Sequence, residues 1–221
     1  MGVPAERITV VEPGVEVPDR AAARPATDGP LFLMMSRLVP QKRVELALRA
    51  WARVEPRTGG RLVVIGGGDV TPKLAPMIGR GVEIRGYVDD DEKEALLGSA
   101  DLLVHTAMRE GWGVAIMEAA AHGVPTLAID VAGVRDTVID TETGVLVSDG
   151  DRLVDEWVAL AGDPDRRHRL GEAARRRAMT KSWDVAVDGF LKVAADAQAD
   201  DRRRLVIGRR VRRRARGWMA R

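Results

Sequence analysis

Six short apolar runs alternate with longer stretches of helical period from Leu31 to about residue 148. The runs are LFLMMSRL, RLVVIGGG, VEIRGYV, DLLVHTA, PTLAID and GVLVSD. Short buried strands that alternate with helices are typical of a parallel sheet covered by helices on both faces. The pattern therefore predicts a doubly wound, Rossmann-like α/β domain with a ligand site at the carboxyl ends of its strands.

The segments between these runs are predicted to be helical. The predicted helices cover 44–54, 70–78, 90–98 and 113–122, followed by a short helical turn near 134–139. Two amphipathic helices are predicted over 151–161 and 164–179, and Ser182-Trp183-Asp184 predicts a cap for a last helix that reaches Ala197. Trp51, Trp157 and Trp183 lie among apolar neighbours at helical spacing, so we predict that all three are core residues.

The chain is predicted to have three parts. Residues 1–30 are predicted to be a linker from a preceding part of the protein, 31–198 one globular domain, and 199–221 a basic tail. The net charge is only +2, so the arginine-rich end implies a mildly acidic body. The tail is typical either of a solvated helix end or of an arm that contacts anionic lipid head groups. Trp218 alone does not supply the interleaved aromatics of a nucleic-acid site.

Composition excludes several kinds of site. The chain has no cysteine, and its three histidines, at 105, 122 and 168, lack metal-ligand spacing, so we predict no metal site. Apolar runs fall well short of the roughly 20 residues of a membrane span, and the N-terminus lacks a secretion signal. We predict a cytoplasmic protein, with contact at the inner membrane face through the tail as an option.

The segment EGWGVAIME places two carboxylates, Glu110 and Glu118, eight positions apart. In one continuous helix they would lie about 12 Å apart along the axis, too far to share a hydroxyl or proton. The glycines beside Trp112 favour a helix that begins near Gly113, which would leave Glu110 free to fold back over the helix start. Helix N–H groups attract phosphate or sugar oxygens, and carboxylates accept hydrogen bonds from diols such as ribose. The segment therefore indicates a sugar-nucleotide site.

Further candidates follow the first three strands. Arg37 and Lys42 lie five positions apart across a turn that contains Pro40, and both cations could meet a pyrophosphate. The triple glycine around Gly67 ends the second strand but lacks the full dinucleotide and phosphate-loop patterns, so a plain tight turn remains an equal interpretation. Tyr87 follows the third strand. All of these positions, together with Glu110 after the fourth strand, fall at one predicted sheet edge.

Several ordered motifs over 10–193 resemble the C-terminal, donor-binding domain of GT-B retaining glycosyltransferases of the family 4 type. They are SRLVPQK, LVVIGGGD, RGYVDDDEKEALLGSADLLVHTA and REGWGVAIMEAAAHGVPTLAIDVAGVRDTVIDTETGVLV, and PGVEVP resembles the entry to that domain. In the last motif two glutamates frame seven residues, as the family pattern requires. The resemblance implies a hexosyltransferase that uses a nucleotide-diphosphate sugar with retention and needs no metal or other cofactor. It also implies an N-terminal acceptor domain that is absent from this sequence.

The resemblance implies a role for each matching residue. Arg37 and Lys42 would hold the donor diphosphate and stabilise it as a leaving group. Glu110 would bind hydroxyls of the transferred sugar, and Glu118 the ribose. Backbone contacts to sugar and phosphate would come from Gly111, Trp112, Gly113 and Val114, with Gly67 at the second strand end and Tyr87 and Val88 beside the base. For the Trp112 ring we predict a position at the sugar edge or cleft.

Three departures from the family pattern accompany these matches. Ser36 replaces the usual glycine, Thr106-Ala107 replaces the common Pro-Ser, and 132–135 fits the family loop loosely. Alternative functions are a nucleotide-sugar-binding module or remnant without transfer activity and a GT-B sugar-nucleotide epimerase. A glycosidase is disfavoured, because its carboxylates must flank one bond about 5 to 9.5 Å apart. The acceptor, whether sugar, lipid or small molecule, and the donor base and hexose are not encoded in these motifs.

Overall fold

The computed structural model describes residues 4–5, 8–19, 29–69 and 71–199. Parts of the predicted linker and all but the first residue of the predicted basic tail lie outside these residues, and so does the option of membrane contact. The strands are β1 (Leu31–Met35), β2 (Arg61–Ile65), β3 (Val82–Gly86), β4 (Leu102–His105), β5 (Thr126–Ile129) and β6 (Gly144–Val147). The helices are α1 (Val44–Thr58), α2 (Thr71–Leu74), α3 (Asp90–Ser99), α4 (Val114–Ala121), α5 (Gly150–Gly162) and α6 (Pro164–Met179), followed by a helix over 183–199.

The six strands form one parallel sheet in the order β3-β2-β1-β4-β5-β6. Each predicted apolar run became one strand, which confirms the doubly wound fold. The strand order reverses between β1 and β4, where only Phe32 with Leu102 and Leu33 with Leu103 are paired in register. A crevice opens at the carboxyl ends of the strands where a doubly wound sheet reverses its order, and ligands bind there.

The sheet is buried on both faces because alternate residues of each strand point to opposite sides. Phe32 and Met34 of β1 belong to the cluster that contains residues of α1 and α5, whereas Leu31 and Leu33 belong to the cluster with residues of α3 and α4. All five residues of β1 are buried. This double coverage explains why the strands read as continuous apolar runs in the sequence.

Three aromatic side chains form the centre of the larger cluster. Phe32 lies 5.5 Å from Trp51 and 5.4 Å from Trp157 between ring centroids, and the two indoles lie 5.6 Å apart. Trp51 and Trp157 are 1% and 0% exposed, which confirms their prediction as core residues. The same prediction for Trp183 was wrong, since 57% of that residue is exposed. Helical spacing identifies an apolar face, but it does not show whether another element covers that face.

Helix ends follow the polar residues of the sequence. Asp89, Asp149 and Asp163 each accept hydrogen bonds from backbone N–H groups in the first turns of α3, α5 and α6. The helix predicted over 70–78 is shorter, because only Thr71–Leu74 is α-helical and a 3-10 turn at Ala75–Met77 follows. Pro76 lacks the N–H that a continuous helix over 70–78 would need at that position, whereas Pro72 lies in the first turn, where proline is tolerated. The predicted helical turn near 134–139 is a run of hydrogen-bonded turns.

The chain divides into two compact units. One unit is Val15–Thr180, which contains the sheet, and the other comprises Met1–Gly14 with Lys181–Arg221. The described residues of this second unit are 4–5, 8–14 and 181–199. The sequence predicted one domain over 31–198, so the helix over 183–199 falls in a different unit from the sheet. In that second unit Lys181 pairs with Glu12, and the Val185 N–H approaches Ser182 Oγ at 3.4 Å as in a helix cap.

Among residues 4–5, 8–19, 29–69 and 71–199, no helix combines the length and hydropathy of a membrane span.

Candidate functional site

A cavity of about 330 Å³ lies at the carboxyl edge of β1, β2 and β3 and extends to the first turn of α4. The predicted site residues that line it are Arg37, Gly67, Tyr87, Val88, Val114 and Glu118. The remaining lining residues are Met35, Ser36, Ile65, Gly66, Lys93 and Ala115. The structure therefore brings together side chains from four successive strand-to-helix connections, beside the point where the strand order reverses.

The glycines after β2 allow two loops to meet at the cavity floor. Gly66 has φ of +114°, and a Cβ there would overlap the carbonyl oxygen of Ser36. A Cβ at Gly67 would overlap the ring of Tyr87, which is itself 82% exposed. The backbone of Gly66 thus lies directly against the loop after β1, and the backbone of Gly67 lies directly against the Tyr87 ring. This close approach explains the glycine run without a phosphate loop.

Glu118 and Lys93 form the charged end of the cavity. Lys93 Nζ lies 3.4 Å from Glu118 Oε1 and 3.2 Å from Asp90 Oδ1. Burial lowers the pKa of Lys93, but the charges of Glu118 and Asp90 outweigh burial and raise that pKa above its ordinary 10.5. Lys93 therefore stays protonated at neutral pH and fixes one oxygen of the Glu118 carboxylate, while the other oxygen keeps its full capacity to accept hydrogen bonds.

Glu110 lies apart from the cavity lining and is tied by three contacts. Lys42 Nζ donates to Glu110 Oε2 at 2.6 Å, and the Gly111 N–H donates to Oε1 at 3.1 Å. His105 Nε2 lies 3.0 Å from the same Oε2. The prediction that Glu110 is free to fold back over the helix start was wrong, because Lys42 Nζ and the Gly111 N–H already donate to its carboxylate.

These contacts lower the pKa of the Glu110 carboxyl group. The pKa of Glu110 falls from 4.5 to about 2, first because of the His105 ring N–H, then because the Lys42 ammonium donates to it, while burial opposes both. The Lys42 and Glu110 side chains are 17% and 13% exposed, so water screens their attraction only in part. Glu110 is thus ionised at neutral pH, and its carboxylate lies directly against the ammonium of Lys42.

Lys42 stands on a short turn rather than on a helix. Pro40–Lys42 forms a 3-10 turn, and Arg43 then adopts the left-handed conformation with φ of 46° before α1 begins. Arg37 lies on the cavity wall, whereas Lys42 is directed to Glu110. The convergence of Arg37 and Lys42 on one pyrophosphate therefore stays a prediction that requires Lys42 to exchange partners.

The remaining predicted residues lie at the start of α4. The helix begins at Val114, which confirms the predicted start near Gly113, and Gly113 itself adopts the left-handed conformation. The Trp112 ring packs partly buried against an apolar cluster that includes Met117 and Ala174 and does not line the cavity, so its position at the sugar edge or cleft stays a prediction. Glycine neighbours indicated a loop, but not the direction in which the indole points. Backbone contacts from 111–114 to a ligand stay predictions.

In the part of the chain that the structure describes, no three histidine, aspartate or glutamate side chains come together as a group that could hold a metal ion.

Sequence reasoning missed two partners of the predicted carboxylates. Lys93 belongs to α3 and precedes its partner Glu118 by 25 positions, and His105 ends β4 as a buried residue that is 3% exposed. The signal for Lys93 was its place in the first turn of the helix that follows Tyr87 and Val88. The signal for His105 was a polar residue at the carboxyl end of an otherwise apolar strand.

Known proteins match both the sequence and the fold. D-inositol 3-phosphate glycosyltransferase of Nocardia farcinica is 32% identical over 216 residues, which cover 86% of this chain and 48% of that protein. Among solved structures, a mutant of S. aureus TarM, in complex with fondaparinux, α-GlcNAc-glycerol and UDP, superposes with a TM-score of 0.72 at 24% identity, covering 81% of this chain and 38% of that one. The C-terminal domain of a group 1 family glycosyl transferase (LpcC) from Francisella tularensis gives a TM-score of 0.61 at 19% identity, covering 69% and 86%.

The family comparison covers most of the chain. Residues 18–177 match the model of the family described as Glycosyl transferases group 1. The chain spans about half the length of the curated relatives it matches. It belongs to the glycosyl transferases group 1 family, whose GT-B architecture its six-stranded parallel sheet shares.

Proposed function

We propose that the chain binds a nucleotide-diphosphate sugar and acts as the donor-binding half of a retaining hexosyltransferase. The observation that carries the proposal is the cavity whose wall holds Arg37, Glu118 and the first turn of α4. A guanidinium and unpaired helix N–H groups suit diphosphate oxygens. A carboxylate suits the vicinal hydroxyls of ribose. The volume of about 330 Å³ falls at the lower end of the usual range of small-molecule sites.

The proposed chemistry is the stabilisation of a leaving group. As the bond between sugar and diphosphate breaks, negative charge grows on the departing oxygens, and Arg37 and Lys42 would meet it together with the N–H groups of Val114 and Ala115. Glu110 would accept hydrogen bonds from hydroxyls of the transferred sugar and hold it close to the acceptor. Retention of anomeric configuration and independence of metal and other cofactors are parts of this proposal.

The relatives suggest the first substrates to test. The name of the Nocardia farcinica relative specifies an inositol phosphate acceptor, and TarM was solved with UDP. We therefore propose a UDP-hexose as the first donor and an inositol phosphate as the first acceptor to assay. The acceptor would bind to an N-terminal domain of the kind implied by relatives of twice this length. We place the activity in the cytoplasm, at or near the inner membrane face.

Calorimetric titration of the chain with UDP-, GDP- and ADP-hexoses in the presence of a chelator tests the proposal. We expect one donor to bind, and Glu118→Ala to weaken it by about ten-fold or more, because a charge-assisted hydrogen bond to the ribose is lost. Glu142→Ala changes an exposed glutamate in the turn before β6 and serves as the matched control. Equal affinities for wild type and Glu118→Ala would refute the assignment of the ribose to Glu118.

Transfer separates the proposed enzyme from its alternatives. With an N-terminal half from a relative supplied in the same reaction, we expect hexose to move from the bound donor to inositol phosphate. Donor binding without transfer to any acceptor would favour the nucleotide-sugar-binding module. Interconversion of free sugar nucleotides would favour an epimerase on the same fold, because fold alone does not define the chemistry.

A further inference from the structure

Thr106 is a fully buried polar residue that directly follows β4. Its Oγ1 donates towards two carbonyl oxygens, 3.0 Å from that of Lys42 and 2.9 Å from that of Arg43, and the residue is 0% exposed. A hydroxyl has one proton to donate, so it is shared between the two carbonyls. Both acceptors belong to the turn that carries Lys42. One side chain thus holds the end of a turn that starts more than sixty residues earlier in the chain.

Two further hydrogen bonds join the same two segments, one in each direction. Arg43 Nε donates to the Thr106 carbonyl oxygen at 2.8 Å, and the Met108 N–H donates to the Gln41 carbonyl oxygen at 2.9 Å. We call these contacts between residues 41–43 and 106–108 the clasp. The first segment presents Lys42, and the second leads directly to Glu110. The clasp therefore sets the distance across which the 2.6 Å ion pair between these two residues forms.

The turn needs an external hold because its backbone is strained. Arg43 has φ of 46°, in the left-handed region that a residue with a Cβ adopts at a cost of about 1 kcal/mol or more. No side chain caps the first turn of α1 within the described structure. Such a conformation persists only where the surrounding contacts over-determine it. The clasp supplies those contacts, and the Thr106 hydroxyl is its most buried member.

We propose that Thr106 is a positioning residue that holds the turn from which the Lys42 side chain would reach the donor diphosphate. This inference rests on the proposed function, in which Lys42 contacts the diphosphate. Thr106 does not line the cavity, so it would act through the turn that carries Lys42 and not by touching the ligand.

Nucleotide binding to Thr106→Val and Thr106→Ser tests the inference. Valine keeps the shape and removes the hydroxyl, whereas serine keeps the hydroxyl. The probes are UDP, GDP and ADP with their monophosphates, measured by calorimetry. We expect Thr106→Val to bind the preferred diphosphate about ten-fold more weakly and its monophosphate within about two-fold of wild type, because only the outer phosphate needs Lys42. Thr106→Ser should restore most of the diphosphate affinity.

Two further variants separate positioning from a general loss of stability. Thr137→Val removes another buried hydroxyl, which bonds to the Val134 carbonyl away from the clasp, and should leave diphosphate affinity unchanged. In a Lys42→Met background, Thr106→Val should cause no additional loss. Equal weakening of diphosphate and monophosphate, or an additive loss in the double variant, would overturn the inference. Should Thr106→Val fail to fold, Arg43→Met must still lower the ratio of diphosphate to monophosphate affinity, and an unchanged ratio would overturn it.

A measurement without nucleotide keeps this inference separate from the proposed function. Carboxyl carbon NMR follows the titration of Glu110 in wild type and in Thr106→Val. Loss of the clasp should move Lys42 away and raise the pKa of Glu110, whereas an unchanged titration would overturn the role of Thr106. If no nucleotide binds to the wild type while the titration shifts as expected, the proposed function fails but the positioning of Lys42 by Thr106 stands.

Discussion

Replacement of Glu110 by glutamine should destabilise the chain at neutral pH and much less in acid. A pKa of about 2 against an ordinary 4.5 corresponds to about 3 kcal/mol of favourable interaction at about 1.36 kcal/mol for each pKa unit. Solvent screens part of this interaction, so we expect Glu110→Gln to lower the free energy of unfolding by about 2 kcal/mol at pH 7. Glutamine is nearly isosteric, so the loss measures the charge rather than a cavity.

The sign of the pH dependence follows from the lowered pKa. The unfolded chain takes up the proton near pH 4.5 and the folded protein only near pH 2, so the stabilisation is complete above pH 4.5 and is lost as the pH falls towards 2. At pH 3 less than about 1 kcal/mol of the difference between wild type and Glu110→Gln should remain. Urea unfolding at pH 7 and pH 3, followed by tryptophan fluorescence, measures both values. Glu142→Gln, on an exposed turn, is the control. An equal difference at both pH values would refute the reasoning.

Three further substitutions have defined outcomes. Lys93→Met should weaken the binding of a nucleoside diphosphate more than the binding of its 2′-deoxy form, because the substitution frees the Glu118 carboxylate to rotate. Equal losses of affinity in calorimetry would contradict the role of Lys93 in orienting Glu118. Gly66→Ala should lower the free energy of unfolding by about 1–3 kcal/mol, because alanine is strained at φ of +114° and its Cβ meets the Ser36 carbonyl; a neutral effect in urea unfolding would count against this close approach. Trp157→Ala should cost about 3–5 kcal/mol in thermal unfolding, and less than about 1 kcal/mol would show that the aromatic cluster is not tightly packed.

The sheet could be predicted from the sequence because strands that are buried on both faces consist almost entirely of apolar residues. Each strand reads as a continuous apolar run, and the glycines and polar residues that follow mark its carboxyl end. Since those ends share one edge, the positions of Arg37, Gly67 and Tyr87 on one cavity also followed from the pattern, whereas Glu110, predicted at the same edge, does not line that cavity. These features depend on local composition and on a topology with few alternatives.

Pairing between distant side chains could not be predicted. Lys42 and Glu110 are separated by 68 positions, and their contact depends on how the loops after β1 and β4 lie against each other. Hydrogen bonds to main-chain carbonyls, such as those of Thr106, leave no pattern in the sequence of the acceptors. The direction of the Trp112 ring likewise depends on packing against α6 residues such as Ala174. Residue types suggested what each group can bind, but only the fold showed which partner it has.

The strand order reverses at the junction between β1 and β4, which has three strands of the sheet on each side. β1 and β4 share two register pairs, whereas every other pair of neighbouring strands shares three to five. Arg37 follows β1 on one side of this junction, and Glu118 lies on α4, which follows β4 on the other side. A bound nucleotide would therefore connect the two halves of the sheet. Any ligand that binds only the folded chain adds stability. Here the added stability should appear as slower hydrogen exchange of amides in the strands on both sides of the junction, and not only in one loop.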